Sequence, residues 1–515
     1  MLRTLVGAGL QGAVARVAAE YAQASGEDVA AALDAVVGSD PLAFFPAKLP
    51  KLPDFVVPSA MPPIVLRAGG ALPDDAVIAL ATMLAFSPAD APYAGLAIAR
   101  DACTPESLRE WAWALFERWM TVASPPKEMW ILHALGHLGD DEIVRRLGPK
   151  VRAWPGERAA ARAQEATTTL ALLGTDLALM VLSDLAENAR FASLQEAARR
   201  RILAVAEARG LSTDDLSDRL VPDLGLDERG ELALDFGARA FTVRLDEHLE
   251  ARVFDAEGKA LAALPKPKKD DDAPKAKAAT DRLKALKKDL TAVARSRLGR
   301  LEGAMIARTR WSAEDFAAFF VGKPIVRQLA RRLVWIAHPH EGDARVLLRV
   351  DQDGSLANAD DDALALAPGR AVSVAHALEL SEAERARWAQ VLADYALVQP
   401  FPQLARETYD AAALAANVGR SLPAPKLVFG LEKRGWQRGA ASDGGSFSDH
   451  ERVFRQSPWA ARVSYSGAVA MGYIEEKESL EIESIELLRD GKAVPAKDAD
   501  PIVVSEVARD LASVL

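Results

Sequence analysis

Through residues 1–225, apolar positions recur every three or four residues over 79–88, 108–120, 127–138, 164–184 and 192–208. That spacing puts them on one face of a helix. Between these runs stand "ASPPKE", "LGDDE", "AWPGE" and "LGTD", clusters that end one helix and cap the next. Two units look alike, "ILHALGHLGDDEIVRRL" and "TLALLGTDLALMVLSDL", each an apolar helix, a Leu-Gly-x-Asp turn and a second apolar helix. This is the pattern of HEAT-like helical hairpins, which bury their apolar faces only by stacking on neighbours. Residues 40–75, with "FFPAKLPKLPDFVVPSAMPP", hold too much proline for a helix and are expected to run extended across the array.

After residue 230 the period falls to two. "ELALDF", "FTVRLDE" and "EARVFDAEGKAL" alternate apolar and polar residues, with a hairpin at Glu257-Gly258. Residues 226–264 are therefore expected to form a small antiparallel β element. The run "LPKPKKDDDAPKAKAATD" is too charged to bury a core, so 265–280 reads as a flexible loop. Helix is expected to resume at about 281 with Thr280 as N-cap, and 281–340 reads as a helical segment. In 341–515 the strands "ARVLLRV" and "SLANA" flank an Asp-Gly turn, and "AVSVAHA", "KLVFGLE", "ARVSYSG", "AVAMGYIE" and "LEIESIELL" also read as strands. A helix capped by Ser381 runs into the corner Gln399-Pro-Phe-Pro-Gln403, whose prolines stop it. The two glutamines are expected to bond the loose carbonyls of that helix end. A last helix opens at Asp500-Pro501. The class is α+β: an N-terminal HEAT-like helical repeat array, then a C-terminal α/β region with small antiparallel sheets.

Composition adds compartment and charge. The chain has 515 residues, half of them hydrophobic, and one cysteine, Cys103, so no disulfide can form within it and a reducing cytoplasm fits. The opening "MLRTLVGAGLQGAVARVAAEYAQ" reads as an amphipathic helix, because Arg16 and Glu20 break its apolar run too early for a signal peptide. No window reaches transmembrane length, so a soluble cytoplasmic protein without membrane attachment is expected. Net charge is −10, which disfavours whole-surface binding to nucleic acid. Its distribution is uneven. Residues 281–332 hold 13 Lys/Arg and 5 Asp/Glu, a local +8, and the other 463 residues carry −18.

Several segments taken together resemble the bacterial DUF4132 family, some of whose members are named molybdate-regulator-like. They are "ALGHLGDDEIVRRLGPKVRAWPGE", "DRLVPDLGL", "LDFGARAFTVRLDEHLEARVFDAEGKALAALPKP", "RLEGAMIARTRW", "RRLVWIA", "LADYALVQPFPQL" and "GWQRGAASDGG", in family order from about residue 60 to the end. The resemblance makes 341–515 a DUF4132-like domain. It implies no catalytic residue, since the family's activity is not established. Longer members begin with a WGR module, shared with poly(ADP-ribose) polymerases and linked there to nucleic acid. "GWQRG" at 435–439 is not such a module, and the chain is read as lacking one.

Candidate chemistry is thin. His133 and His137 have zinc-like spacing, but Ala134 stands where a metalloprotease needs Glu, and they read as residues of a packed hairpin. "HPHEGD" at 338–343 reads as a solvated connection, and "DQDGSLANADDD" has Leu356 where an EF-hand requires Gly. "VGAGLQG" near the start lacks a preceding strand, so no dinucleotide site is read there. No metal and no cofactor is expected. Lys284, Lys287, Lys288 and Arg295 are candidates for nucleic-acid contact if they share one face. In "LEKRGWQRGAASDGG" the candidate ligand contacts are Arg434, Trp436 and Arg438, because Arg grips phosphate bidentately and Trp stacks on bases. Against this stands a buried Trp in a cation-rich turn. The leading expectation is a scaffold that binds a protein partner through its helical array. The alternatives are an enzyme or nucleotide-binding protein with a C-terminal site, or a nucleic-acid-associated regulator using 281–332.

Overall fold

The computed structural model describes residues 42, 46, 48–340, 342–442, 445–454, 457–470, 474 and 479–514. The expected opening helix and the "VGAGLQG" motif lie outside them. The chain separates into two compact units, Met1–Pro222 and Asp223–Leu515.

In the first unit the described residues hold nine α-helices: α1 (Asp74–Phe86), α2 (Gly95–Ala102), α3 (Pro105–Thr121), α4 (Trp130–Leu138), α5 (Asp141–Ala153), α6 (Ala160–Leu173), α7 (Asp176–Asn188), α8 (Ala192–Ala208) and α9 (Thr213–Arg219). Caps fall where the turns were read. Asp140 accepts from the Glu142 amide and Thr175 from the Ala178 amide, while Gly174 takes the left-handed backbone that ends α6. Helices α4, α6 and α8 pack in succession, as do α5 and α7. Gly136 makes the first contact close, since a Cβ there would stand 2.7 Å from the Leu172 Cβ. Trp111, Phe116, Trp119 and Trp154 fill the core between these layers. Residues 49–57 carry no regular element, as their prolines require; Pro58–Ala60 is a short 3-10 turn.

The second unit opens with an antiparallel sheet in strand order, β1 (Glu231–Asp235), β2 (Ala240–Leu245), β3 (Ala251–Phe254) and β4 (Ala260–Leu261), with Gly258 at positive φ in the last turn. Next comes α10, Ala273–Ala307, the spine of this unit. It begins eight residues before the expected start and takes up half of the segment read as a loop. Asp272 caps it by accepting from the Lys275 amide, Pro274 sits in its first turn, and Ala276 and Ala279 are buried. The charged run thus supplies the cap rather than a linker.

A six-stranded antiparallel sheet follows, in order β5 (Trp311–Ser312), β10 (Ala371–Val374), β6 (Trp335–Ala337), β7 (Val346–Val350), β8 (Leu356–Ala357), β9 (Ala363–Leu364). Short helices α11 (Ala313–Phe316) and α12 (Pro324–Ala330), and then α13 (Glu382–Asp394), flank it. Ser381 caps α13 through a reciprocal capping box with Glu384. After α14 (Ala411–Ala415) and β11 (Ser421–Pro423), the segment "KLVFGLE" is a helix, α15 (Ala424–Glu432), and not a strand. Its buried Leu427, Val428 and Leu431 have helical spacing, and Pro425 opens it. The last sheet joins β11, β15 (Ser479–Arg489), β14 (Trp459–Ala470), β13 (Ser446–Val453) and β12 (Gln437–Arg438), with β16 (Lys492–Val494) on β15. Helix α16, Pro501–Val514, closes the unit. No helix among the described residues is long and apolar enough to cross a membrane.

Candidate functional site

Helix α16 is almost wholly buried, yet its sequence "VVSEVARD" places Ser505, Glu506 and Asp510 on faces that point inward. Each finds a partner. Arg406, fully buried, grips Glu506 through two parallel bonds of 2.7 and 2.5 Å and sends its remaining nitrogen to Glu302 of α10 at 2.9 Å. His376 approaches the same Glu506 oxygen at 3.5 Å, and Arg509 donates to its other oxygen at 3.1 Å. Burial pushes the Glu506 carboxyl up, but the Arg406 and His376 bonds and the two arginine charges outweigh it and hold it well below the usual carboxylate range. Ser505 Oγ accepts from the Tyr409 amide at 3.0 Å. None of these residues was a candidate from sequence. The legible signal was an acid pair four apart inside an apolar helix.

One turn along, Asp510 accepts from Trp436 Nε1 at 2.8 Å and from Arg452. Burial raises its carboxyl pKa. Trp436 is 2% exposed, so its ring faces the core in this conformation. Arg434 turns the other way and bonds Ser513 and the Gly430 carbonyl at the end of α15. Arg438 donates to Glu432 at 2.6 Å and lies 4.8 Å over the Phe447 ring. The three candidate ligand contacts therefore do not converge on one opening: each is engaged with the fold.

Behind Arg438 lies a buried pair. His450 Nδ1 meets the Tyr465 hydroxyl at 3.2 Å, while His450 Nε2 has no hydrogen-bond partner among the described residues. Burial, then the Arg438 charge, brings this imidazole down to about 4. Close by, Gly439 donates to the Asp449 carbonyl, and a Cβ at 439 would stand 2.2 Å from Asp449 Oδ1. Any side chain at 439 would displace the Asp449 carboxylate.

The Gln399–Gln403 corner does not cap the end of α13 as expected: neither glutamine bonds a carbonyl of that helix. Gln403, fully buried, accepts from the Val334 amide at 2.9 Å and donates to the Val334 and Ala375 carbonyls at 2.7 and 2.9 Å. It ties the ends of β6 and β10 together, and Gln399 Nε2 bonds its oxygen at 2.7 Å. The corner is bonded to the sheet and not to the helix that precedes it.

Lys284, Lys287, Lys288 and Arg295 are all exposed on α10, whose opposite face buries Leu283, Leu286, Leu290 and Val293. The histidines separate into structural roles. His133 Nε2 bonds Glu165 at 2.7 Å between α4 and α6, and burial holds His137 down to about 4. His338 bonds Ser373 at 2.8 Å, and in the acidic run near Gly354 buried Arg349 pairs with Asp351 and Asp361. Among the described residues no group of three His, Cys, Asp or Glu is arranged to hold a metal.

Residues 258–436 match the family described as Domain of unknown function (DUF4132). The match bears out the resemblance to this family, and it overlaps the expected 341–515 stretch only over 341–436. It is also 34% identical over 490 residues to the Uncharacterized protein YehI of Escherichia coli (strain K12), covering 93% of this chain and 40% of that protein. The chain thus spans about two fifths of that relative's length. No solved structure matches.

Proposed function

We propose that the protein is a cytoplasmic interaction scaffold whose N-terminal helical array is HEAT-like and binds a protein partner. One observation supports this most: side-chain bonds between successive hairpins recur at near-constant sequence separation. Arg146 bonds Glu110, His133 bonds Glu165, Thr175 bonds Asp141, Arg152 bonds Asp184 and Ser183 bonds Ser217, at separations of 32 to 36 residues. Such quasi-one-dimensional stacking leaves long continuous surfaces, the ones helical repeats use for partners. Large apolar side chains stay exposed on this unit, with Ile98 at 56% and Leu203 at 48%. The test is co-purification with the full chain. A discrete partner retained by the wild type and reduced at least about tenfold by Ile98→Asp with Leu203→Asp is expected, since buried apolar anchors dominate interface energy. Retention unchanged by these and by reversal of the array's exposed charges contradicts the reading.

A second reading, a ligand site in the C-terminal unit, rests on the orphaned His450 Nε2 beside Arg438. Its test is a thermal-shift panel of nucleotides and dinucleotides. A stabilisation lost in both Arg438→Ala and His450→Phe favours it.

A further inference from the structure

We propose that the outward face of α10 binds the sugar-phosphate backbone of duplex nucleic acid without sequence preference. At about 100° per residue, Lys277, Lys284, Lys288 and Arg295 fall within about 40° of arc, and the row extends about 27 Å along the axis at 1.5 Å per residue. Lys287 flanks it, and all five are exposed. Asp281 is the one carboxylate on this exposed arc between 277 and 295; Asp289 is buried on the opposite side.

Apart from Lys288, which has a partner of its own, the members of this row stand out against the charge chemistry around them. Several arginines elsewhere in the same unit are paired with carboxylates, as Arg239 is with Asp271, Arg345 with Glu384, Arg406 with Glu506 and Arg462 with Glu451. Lys277, Lys284, Lys287 and Arg295 form no ion pair with any described residue. They also sit on a chain of net −10, so the local excess is not a general property of the surface. A straight row of mostly lysine ammoniums, point charges on flexible stems, suits a linear array of phosphates rather than one bidentate anion.

The rest of the helix argues against other polyanions. A membrane-surface helix inserts an apolar face beside its cations, whereas the apolar face of α10 is used up inside the fold. The other exposed residues from 278 to 294 are Ala278, Thr280, Asp281, Thr291 and Ala292, which offer no aromatic or large aliphatic anchor for a protein interface.

Fluorescence anisotropy of the full chain with a labelled mixed-sequence duplex of about 25 base pairs tests this. With about four phosphates neutralised, raising salt from about 50 to about 200 mM weakens binding on the order of 100-fold. The triple variant Lys284→Glu, Lys288→Glu, Arg295→Glu loses at least about tenfold in affinity and most of the salt slope. The neutral triple Lys284→Gln, Lys288→Gln, Arg295→Gln loses less and keeps the wild-type melting temperature, which separates binding from folding. Arg200→Glu in the first unit binds like the wild type. No duplex binding at the lower salt, wild-type binding by both triple variants, or tighter binding to vesicles containing about 30% phosphatidylserine than to duplex overturns the proposal.

Discussion

Glu506 and Asp510 lie one helical turn apart on α16, both buried, and each carboxylate holds a different buried partner, Arg406 and Trp436. Through them the last helix is bonded to the segment after α13 and to the turn after α15. Removing one member of the first pair strands a buried charge. Glu506→Gln or Arg406→Met is expected to cost about 3–5 kcal/mol by urea denaturation, while Arg406→Met with Glu506→Leu costs less than either single change. A double variant as damaged as the sum of the singles refutes the pairing.

Trp436 offers a comparison of volume with hydrogen bonding. Trp436→Ala opens a cavity and costs about 3–5 kcal/mol. Trp436→Phe keeps most of the packing and loses the bond to Asp510, costing about 1–2 kcal/mol. Near-wild-type stability of the alanine variant contradicts the buried placement.

Gln403→Leu leaves the Val334 amide and the Ala375 carbonyl without their partner, while the Val334 carbonyl keeps the Ala375 amide, at a cost of about 3 kcal/mol by the same denaturation. Pro402→Ala leaves all of these bonds in place and is expected to change stability by under about 1 kcal/mol.

Acid lowers stability in two windows. His137, His338 and His450 are held down to about 4 against an ordinary 6.5, so between those values the unfolded chain binds more protons and stability falls as pH drops. Glu506 is depressed, so its contribution is present above the ordinary glutamate value of about 4.3 and is lost as pH falls below it. The melting temperature is therefore expected to be level above about 6.5 and to decline below, less steeply for His450→Phe. A melting temperature that rises from pH 6.5 to 4 contradicts this.

What was legible in the sequence follows the physics of local signals. The Ser381 cap and the Gly258 and Gly354 turns depend on neighbours along the chain and were read correctly, while in each Leu-Gly-x-Asp turn the cap falls on Asp140 or Thr175, one residue before the Asp expected to supply it. Where one local cue competed with another, reading failed. The charge of 265–280 hid the Asp272 cap, and the alternation in "KLVFGLE" hid a helix opened by Pro425. The Arg406–Glu506 pair joins residues 100 apart, and no spacing rule links such positions. The same holds for Gln403, whose partners belong to two strands, and for Trp436, whose exposure only the packing of α16 decides.

The scaffold reading is tested most directly by site-specific photo-crosslinking in the native cell. The photoreactive residue is placed at Ile98 and at Leu203 on the array, and at Val453 on the last sheet as control, all three exposed. The account predicts one discrete protein adduct shared by the two array positions and absent at Val453. An adduct formed at Val453 alone, or at none of the three, contradicts it.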